Sequence, residues 1–232
     1  MNQQPDLKYY PICLDVVGKN CLVVGGGNVG ARKALTLARC GAYVTVISPL
    51  FSDKFAKNIN ITDTTIQCIK KNYDINDLNS IFLVIGATDN MQLNRRIAQD
   101  AHKRDILCNI ADFPEGSSFV LPSIVQRGDL VITLSTSGNS PALAKKLRKD
   151  LELQFGQEYA SFLNLMGRIR KMLLAENNST EANALIFREL VNSNLLEKIA
   201  SGDEAGIESI LEQILGSHFK TKYFMDGCNF IS

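Results

Sequence analysis

The chain is poor in histidine, with two in 232 residues, His102 and His218. Its six cysteines (Cys13, Cys21, Cys40, Cys68, Cys108 and Cys228) form no C-x-x-C pair. A structural zinc site needs clustered Cys and His ligands, so these scarcities argue against one, and no metal-binding residues are predicted. Several of the cysteines lie inside apolar runs and read as reduced core residues, which fits a cytoplasmic protein. No apolar run approaches the ~18 residues of a membrane helix, so no membrane contact is expected. The N-terminal MNQQPDLKYYP lacks the charged-then-apolar layout of a signal peptide. An excess of one charge is missing too. Lys and Arg number 25 against 24 Asp and Glu, a net charge of +1, and no global field recruits nucleic acid. No internal repeat or low-complexity segment is evident. What is left, 45% hydrophobic and 21% charged, is the composition of a soluble globular protein. The length suits one α/β domain plus a smaller one.

The strongest positive signal is VVGGGNVGARKA, residues 23 to 34. A buried-strand run, Cys21 to Val24, leads into Gly25-Gly26-Gly27-Asn28-Val29-Gly30, and a helix-period pattern with Val29, Leu35, Leu37 and Ala38 follows. This is G-x-G-x-x-G between a strand and a helix. Gly25 permits the tight turn, Gly27 lets backbone approach a pyrophosphate, and Gly30 lets helix and strand pack closely. The first N–H groups of the helix then face an anion, and the helix dipole adds roughly 0.3–1 kcal/mol. Strands over Tyr43–Ile47, Thr65–Ile69, Ile81–Ile85 and Leu107–Ile110, with a helix over Asn90–Lys103, predict a doubly wound parallel sheet of the α/β class. The acidic residue that usually binds the adenosine ribose after the second strand is absent. Ser48-Pro49-Leu50 stands there, with Ser48 able to meet a ribose hydroxyl and no Arg to meet a 2′-phosphate, which favours NAD.

Ligands of such sheets bind beyond the carboxyl ends of the strands. Besides the glycine loop and Ser48–Leu50, those ends carry Gly86-Ala87-Thr88-Asp89 and Ala111-Asp112-Phe113-Pro114. Small residues at 86 and 87 let a nicotinamide lie against backbone, and Thr88 and Asp89 are placed for its amide; alternatively, Asp89-Asn90 caps the next helix. Asp112 is either a general base at the mouth of the crevice or a turn residue bonding its own backbone. Beyond residue 113 the alternation stops. Two strands, Ser118–Val125 and Leu130–Ser135, are expected around Arg127-Gly128-Asp129, then helices. Ser140 and Pro141 open the first, an apolar stripe from Tyr159 to Leu173 marks the second, Ser179 caps one carrying Leu185, Phe187, Leu190 and Val191, and Asp203 caps one that stops at Gly216. The loop Ser135-Thr136-Ser137-Gly138-Asn139-Ser140 offers backbone donors for an anion nest. Lys145, Lys146, Arg148 and Lys149 follow, then Arg168, Arg170 and Lys171, either a solvated face or anchors for a carboxylate-rich substrate.

The motifs YYPICLDVVGKNCLVVGGGNVGARKA, GAYVTVISP, VIGATDN and CNIADFPEGSSFVLPSIVQRGDLVITLSTSGNSPALAKKLR, in this order over about residues 9–150, resemble the precorrin-2 dehydrogenase / sirohydrochlorin ferrochelatase family of siroheme biosynthesis. The resemblance implies an NAD-binding Rossmann domain (1–113), a dimerisation and substrate-binding region (114–150), a helical domain (151–216) and a tail (217–232), in a homodimer of the stand-alone form. It implies NAD-dependent oxidation of precorrin-2 to sirohydrochlorin, with Fe²⁺ insertion as a second activity of some members. It assigns catalysis to Asp112. Dinucleotide contacts fall on the glycine loop, notably Asn28 and Val29, on Pro49 and Leu50, and by the reading above on Ser48, Ala87 and Thr88. Substrate carboxylates fall on Ser137, Gly138, Asn139 and Ser140 with Lys145 and Arg148. A serine phosphorylated in some members aligns with Thr136. The rival reading is a non-catalytic NAD-sensing regulatory module, which predicts neither a base at strand five nor an anion nest.

Overall fold

The computed structural model describes residues 8–59, 65–176 and 179–216. The chain folds into two compact units, 1–121 and 122–232. His218, Cys228 and the 217–232 tail lie outside the described residues.

The first unit is built on five parallel strands in the order β3-β2-β1-β4-β5. They are β1 (Asn20–Gly26), β2 (Tyr43–Phe51), β3 (Ile66–Lys70), β4 (Leu83–Gly86) and β5 (Leu107–Ile110). The continuous apolar runs of β1 and β4 follow from cover on both faces. On one face Cys21 and Val23 pack with Val44, Val46, Leu83 and Ile85 against Ala31 and Ala34 of helix α1 (Asn28–Arg39). On the other, Leu22, Val24, Val84 and Cys108 pack against Ile97, Ala98 and Ala101 of α3 (Met91–His102). A short helix, α2 (Asp53–Asn58), follows β2, its amide ladder opened by the Ser52 side chain accepting from Phe55 N–H. Burial raises the thiols of Cys21 and Cys108 to about 11, in keeping with reduced core residues.

Two sequence expectations change here. Ser48-Pro49-Leu50 do not follow the second strand but belong to it, because β2 runs on to Phe51. The β1–β2 register slips between Val24–Ile47 and Gly26–Phe51, a bulge that accommodates Pro49, which has no N–H to donate. The strand expected from Ser118 begins only at Ser123. Residues 117 to 119 instead bond back onto the open edge of β5, and Pro122 separates them from the next strand.

The second unit opens with an antiparallel hairpin, β6 (Ser123–Arg127) and β7 (Leu130–Leu134). Gly128, at φ +56°, takes the first of two turn positions, where II′ hairpins place glycine. A lone hairpin is marginally stable; this one packs on α4 (Pro141–Gln154) and α5 (Glu158–Ala175). Then come α6 (Thr180–Asn192), α7 (Leu195–Ser201) and α8 (Glu204–Leu215). Leu165, Ile169 and Leu173 of α5 meet Leu190, Leu195, Ile199, Ile207 and Leu211, all fully buried. The α6 stripe differs from expectation. Ile186, Phe187 and Leu190 face the core, whereas Leu185 and Val191, on the flanks of that face, are exposed. Among the described residues no helix is long and apolar enough to cross a membrane.

Candidate active site at the carboxyl ends of the parallel strands

The strand order reverses between β1 and β4, since the chain steps outward through β2 and β3 and then returns to the other side of β1. A crevice opens at such a switch point. Gly25, at φ +132°, carries the chain out of β1, and a Cβ there would strike the Ala87 carbonyl after β4. Ala87 N–H in turn donates to Val24 O (2.8 Å), tying the two exits together. Gly26 lies against the Leu50 carbonyl and the Ser48 Cβ, and Gly30 of α1 lies against the Gly25 carbonyl. Each of these three sites excludes a side chain for internal packing. Gly27 is different, because a Cβ there would enter open space.

Gly27 is the N-cap of α1, and no side chain caps that helix; its first turn carries no acid. Most helices spend a Ser, Asp or Asn on these donors. Here the positive end of the dipole is left facing outward beside exposed Asn28 and Val29, the arrangement that receives a pyrophosphate. The residues present therefore fit a dinucleotide. Pro49 and Leu50 are exposed at the end of β2, whereas Ser48 is buried and its hydroxyl donates to Leu50 O (2.6 Å). Ser48 thus keeps only acceptor capacity for a ribose hydroxyl.

After β4, Thr88 is held by Asn94 of α3. Its hydroxyl donates to Asn94 Oδ1 (2.7 Å), and Asn94 Nδ2 donates to Thr88 O (2.9 Å). Asn94 is itself buried, a polar residue in the core-facing stripe of α3 that escaped the sequence reading. The helix cap is Asn90, accepting from Leu93 N–H (3.0 Å); Asp89 is exposed and caps nothing.

Asp112 stands after β5, two strands from β1 and so about 10 Å across the sheet end. It is exposed and occupies the third position of a turn closed by Phe113 N–H to Ile110 O (3.3 Å). Its carboxylate has no hydrogen-bond partner among the described residues, so it does not serve its own turn. The turn is held instead by Ser117, while Ser118 and Asn109 tie residues 118 and 119 to β5, roles missed in the sequence. No hydrophobic period marks hydroxyls that replace a strand.

In the second unit the loop before α4 spends most of its donors on itself. Ser137 N–H goes to Ser135 Oγ, Asn139 N–H to Thr136 O and Ser140 N–H to Thr136 Oγ1. Ser137 (φ +52°) and Gly138 (φ +88°) give it its left-handed bend. An anion nest built from the N–H groups of Ser137, Asn139 and Ser140 is thereby occupied by the loop's own oxygens. Ser140 caps α4 through Leu143 N–H (3.3 Å). Arg148 is engaged by Glu152 one turn along, while Lys145 and Lys146 are exposed. Among the described residues no group of three His, Cys, Asp or Glu side chains is placed to hold a metal ion.

Residues 12–123 match the family model described as putative NAD(P)-binding, and residues 127–154 match that of the sirohaem biosynthesis protein central segment. The siroheme synthase of Nitrosococcus oceani is 33% identical over 213 residues, covering 92% of this chain and 45% of that protein. Siroheme synthase 2 of Pectobacterium atrosepticum is 32% identical over 212 residues, covering 91% of this chain and 46% of its own length. The chain thus spans about half the length of the curated relatives it matches. A solved structure titled SirC, precorrin-2 dehydrogenase, superposes with a TM-score of 0.74 at 24% identity, covering 89% of this chain and 99% of that one, and shares its fold. Over residues 12–154 the chain thus matches a putative NAD(P)-binding model followed by the sirohaem central model, and more than nine-tenths of it is similar to part of the siroheme synthases.

Proposed function

We propose that the protein is an NAD-dependent dehydrogenase that oxidises precorrin-2 to sirohydrochlorin. The observation that carries the reading is the uncapped, outward-facing N-terminus of α1 at a topological switch point, with a free carboxylate two strands away at the same sheet end. When bound, NAD⁺ supplies the hydride acceptor. The N–H groups at Gly27–Val29 would hold its pyrophosphate, and exposed Pro49 and Leu50 would contact the same cofactor. The Asp112 carboxylate takes the proton that leaves the tetrapyrrole together with the hydride, a role for which its vacant oxygens and open position suit it. A positioned base of this kind contributes ~10²–10⁴-fold. Within the second unit, exposed Lys145 and Lys146 of α4 are suited to a carboxylate-rich ligand, as are exposed Lys149, Arg170 and Lys171.

The same reading includes a cytoplasmic setting and a homodimer. Ile124 and Val131 are exposed on one face of the hairpin, 42% and 47%, a surface suited to a second copy of the chain. It extends to Fe²⁺ as a further substrate through Asp112 alone, as acceptor of pyrrole N–H protons. The test is anaerobic incubation of the full chain with precorrin-2 and NAD⁺. One NADH per sirohydrochlorin formed is the expected result. Tight NAD⁺ binding with no NADH would replace the dehydrogenase by a sensing module. Acceleration of Co²⁺ insertion into sirohydrochlorin over the spontaneous rate tests the metal step separately.

A further inference from the structure

β5 is the outer strand of the sheet, and its far edge has no partner strand. The N–H groups of Cys108 and Ile110 point to that edge. Two serine hydroxyls take them. Cys108 N–H donates to Ser118 Oγ (2.7 Å) and Ile110 N–H to Ser117 Oγ (2.9 Å). Ser118 N–H returns to Cys108 O (2.8 Å), and Asn109 Nδ2 donates to Phe119 O (3.0 Å). Residues 117–119 thus replace a sixth strand and blunt the edge.

The two serines differ in what else they reach. Ser118 bonds only to Cys108, well inside the strand. Ser117 spans the turn that carries Asp112. Its Oγ accepts from Ile110 N–H at one end of the turn and donates to Phe113 O (3.0 Å) at the other. The opposite side is pinned by packing. The Phe113 ring occupies the space a Cβ on Gly116 would need, and the Arg95 guanidinium lies 5.6 Å from its centroid. Asp112 is left between two fixed ends with its own oxygens unused. A carboxylate that borrowed the backbone N–H groups of its turn would be held in place but spent as a base. Here the hydroxyl of Ser117 does the holding.

We infer that Ser117 is a positioning residue for Asp112, fixing the turn over residues 110–113 so that the carboxylate is presented rather than consumed. The inference rests on the reading of Asp112 as the base. A misplacement of about 1 Å at a reacting group costs up to ~10²-fold.

The test compares Ser117→Ala, Ser117→Thr, Gly116→Ala and Asp112→Asn in the full chain. Each is measured for kcat with precorrin-2, for NAD⁺ affinity, and for the fraction of chains that bind NAD⁺. Ser117→Ala is expected to lower kcat about 10- to 100-fold per NAD⁺-binding chain, with NAD⁺ affinity within about twofold of the parent. Ser117→Thr, which keeps the hydroxyl, is expected to restore kcat to within about threefold. Gly116→Ala displaces the Phe113 ring while leaving the Ser117 hydroxyl in the chain, and is expected to reproduce the kcat loss if Ser117→Ala does not fold. A kcat loss matched by an equal loss of NAD⁺-binding chains overturns the inference in favour of plain destabilisation. Parental kcat in both Ser117→Ala and Gly116→Ala, with Asp112→Asn inactive, overturns it and leaves Asp112 in place. Parental kcat in Asp112→Asn removes the base, and the inference with it.

Discussion

Four glycines lie within six residues, and single substitutions at two of them are expected to act in opposite directions. Gly27 is the N-cap of α1 with open space where a Cβ would go. Gly27→Asp supplies the missing cap and is expected to stabilise the unliganded protein by ~0.3 kcal/mol. The same carboxylate repels a pyrophosphate, so NAD⁺ affinity is expected to fall at least tenfold, about 1.4 kcal/mol. Thermal unfolding and calorimetric titration of one variant check both signs; unchanged affinity contradicts the site. Gly30 faces the Gly25 carbonyl, and Gly30→Ala is expected to destabilise by about 1–3 kcal/mol through overpacking. The thiols divide just as sharply. Cys21 and Cys108 are fully buried and raised to about 11, whereas Cys13, Cys40 and Cys68 are exposed. At pH 8 a thiol reagent is expected to label Cys13 and Cys40 readily in the native state, Cys68 more slowly because partial burial raises its thiol, and the buried pair only on unfolding, as peptide mapping would show.

Among the elements, the α7–α8 corner carries the clearest pH dependence. Gly202 (φ +68°) ends α7, and Asp203 caps α8 through Gly206 N–H (2.9 Å) while receiving the Lys198 ammonium (2.7 Å). The Lys198 hydrogen bond, then the Gly206 N–H, hold this carboxyl below its usual range. Its folded value is thus below the unfolded value of about 3.9. The stabilisation it gives is present above that unfolded value and is lost as pH falls through the folded one. Helical signal from the second unit is expected to weaken below about pH 4, and Asp203→Asn, which keeps an acceptor for Gly206, is expected to flatten that acid limb. Circular dichroism against pH checks it. Elements with a strong period were legible in the sequence: β1 and β4 as unbroken apolar runs, α1 by its glycine entry, α4 and α8 by Ser140 and Asp203. The strand expected at Ser118 was not, because alternation there comes from serines that bond laterally to β5. Asp89 and Asn90 are both good caps by type, and only backbone geometry chose Asn90.

At the scale of the whole molecule, the sequence order of four strand ends sufficed to group the glycine loop, Ser48–Leu50 of β2, Ala87–Thr88 and Asp112 at one end of a parallel sheet. What it left out is how each loop is held. Asn94 and Ser117 act through side-chain hydrogen bonds to neighbouring loops, to Thr88 and to Ile110 and Phe113, which no periodicity reports. The loop before α4 is opaque to sequence for a related reason, since the N–H groups of Ser137, Asn139 and Ser140 go to its own hydroxyls and carbonyl. The central claim is that one sheet end binds the dinucleotide and presents Asp112 to whatever it oxidises. A crystal structure of the full chain with NAD⁺ tests this most directly. The pyrophosphate is expected on the N–H groups at Gly27–Val29 and the nicotinamide extended toward β4 and β5, with the Asp112 carboxylate open to the same cavity. A dinucleotide bound elsewhere, or lying over β2 and β3 with its nicotinamide directed away from Asp112, would contradict it.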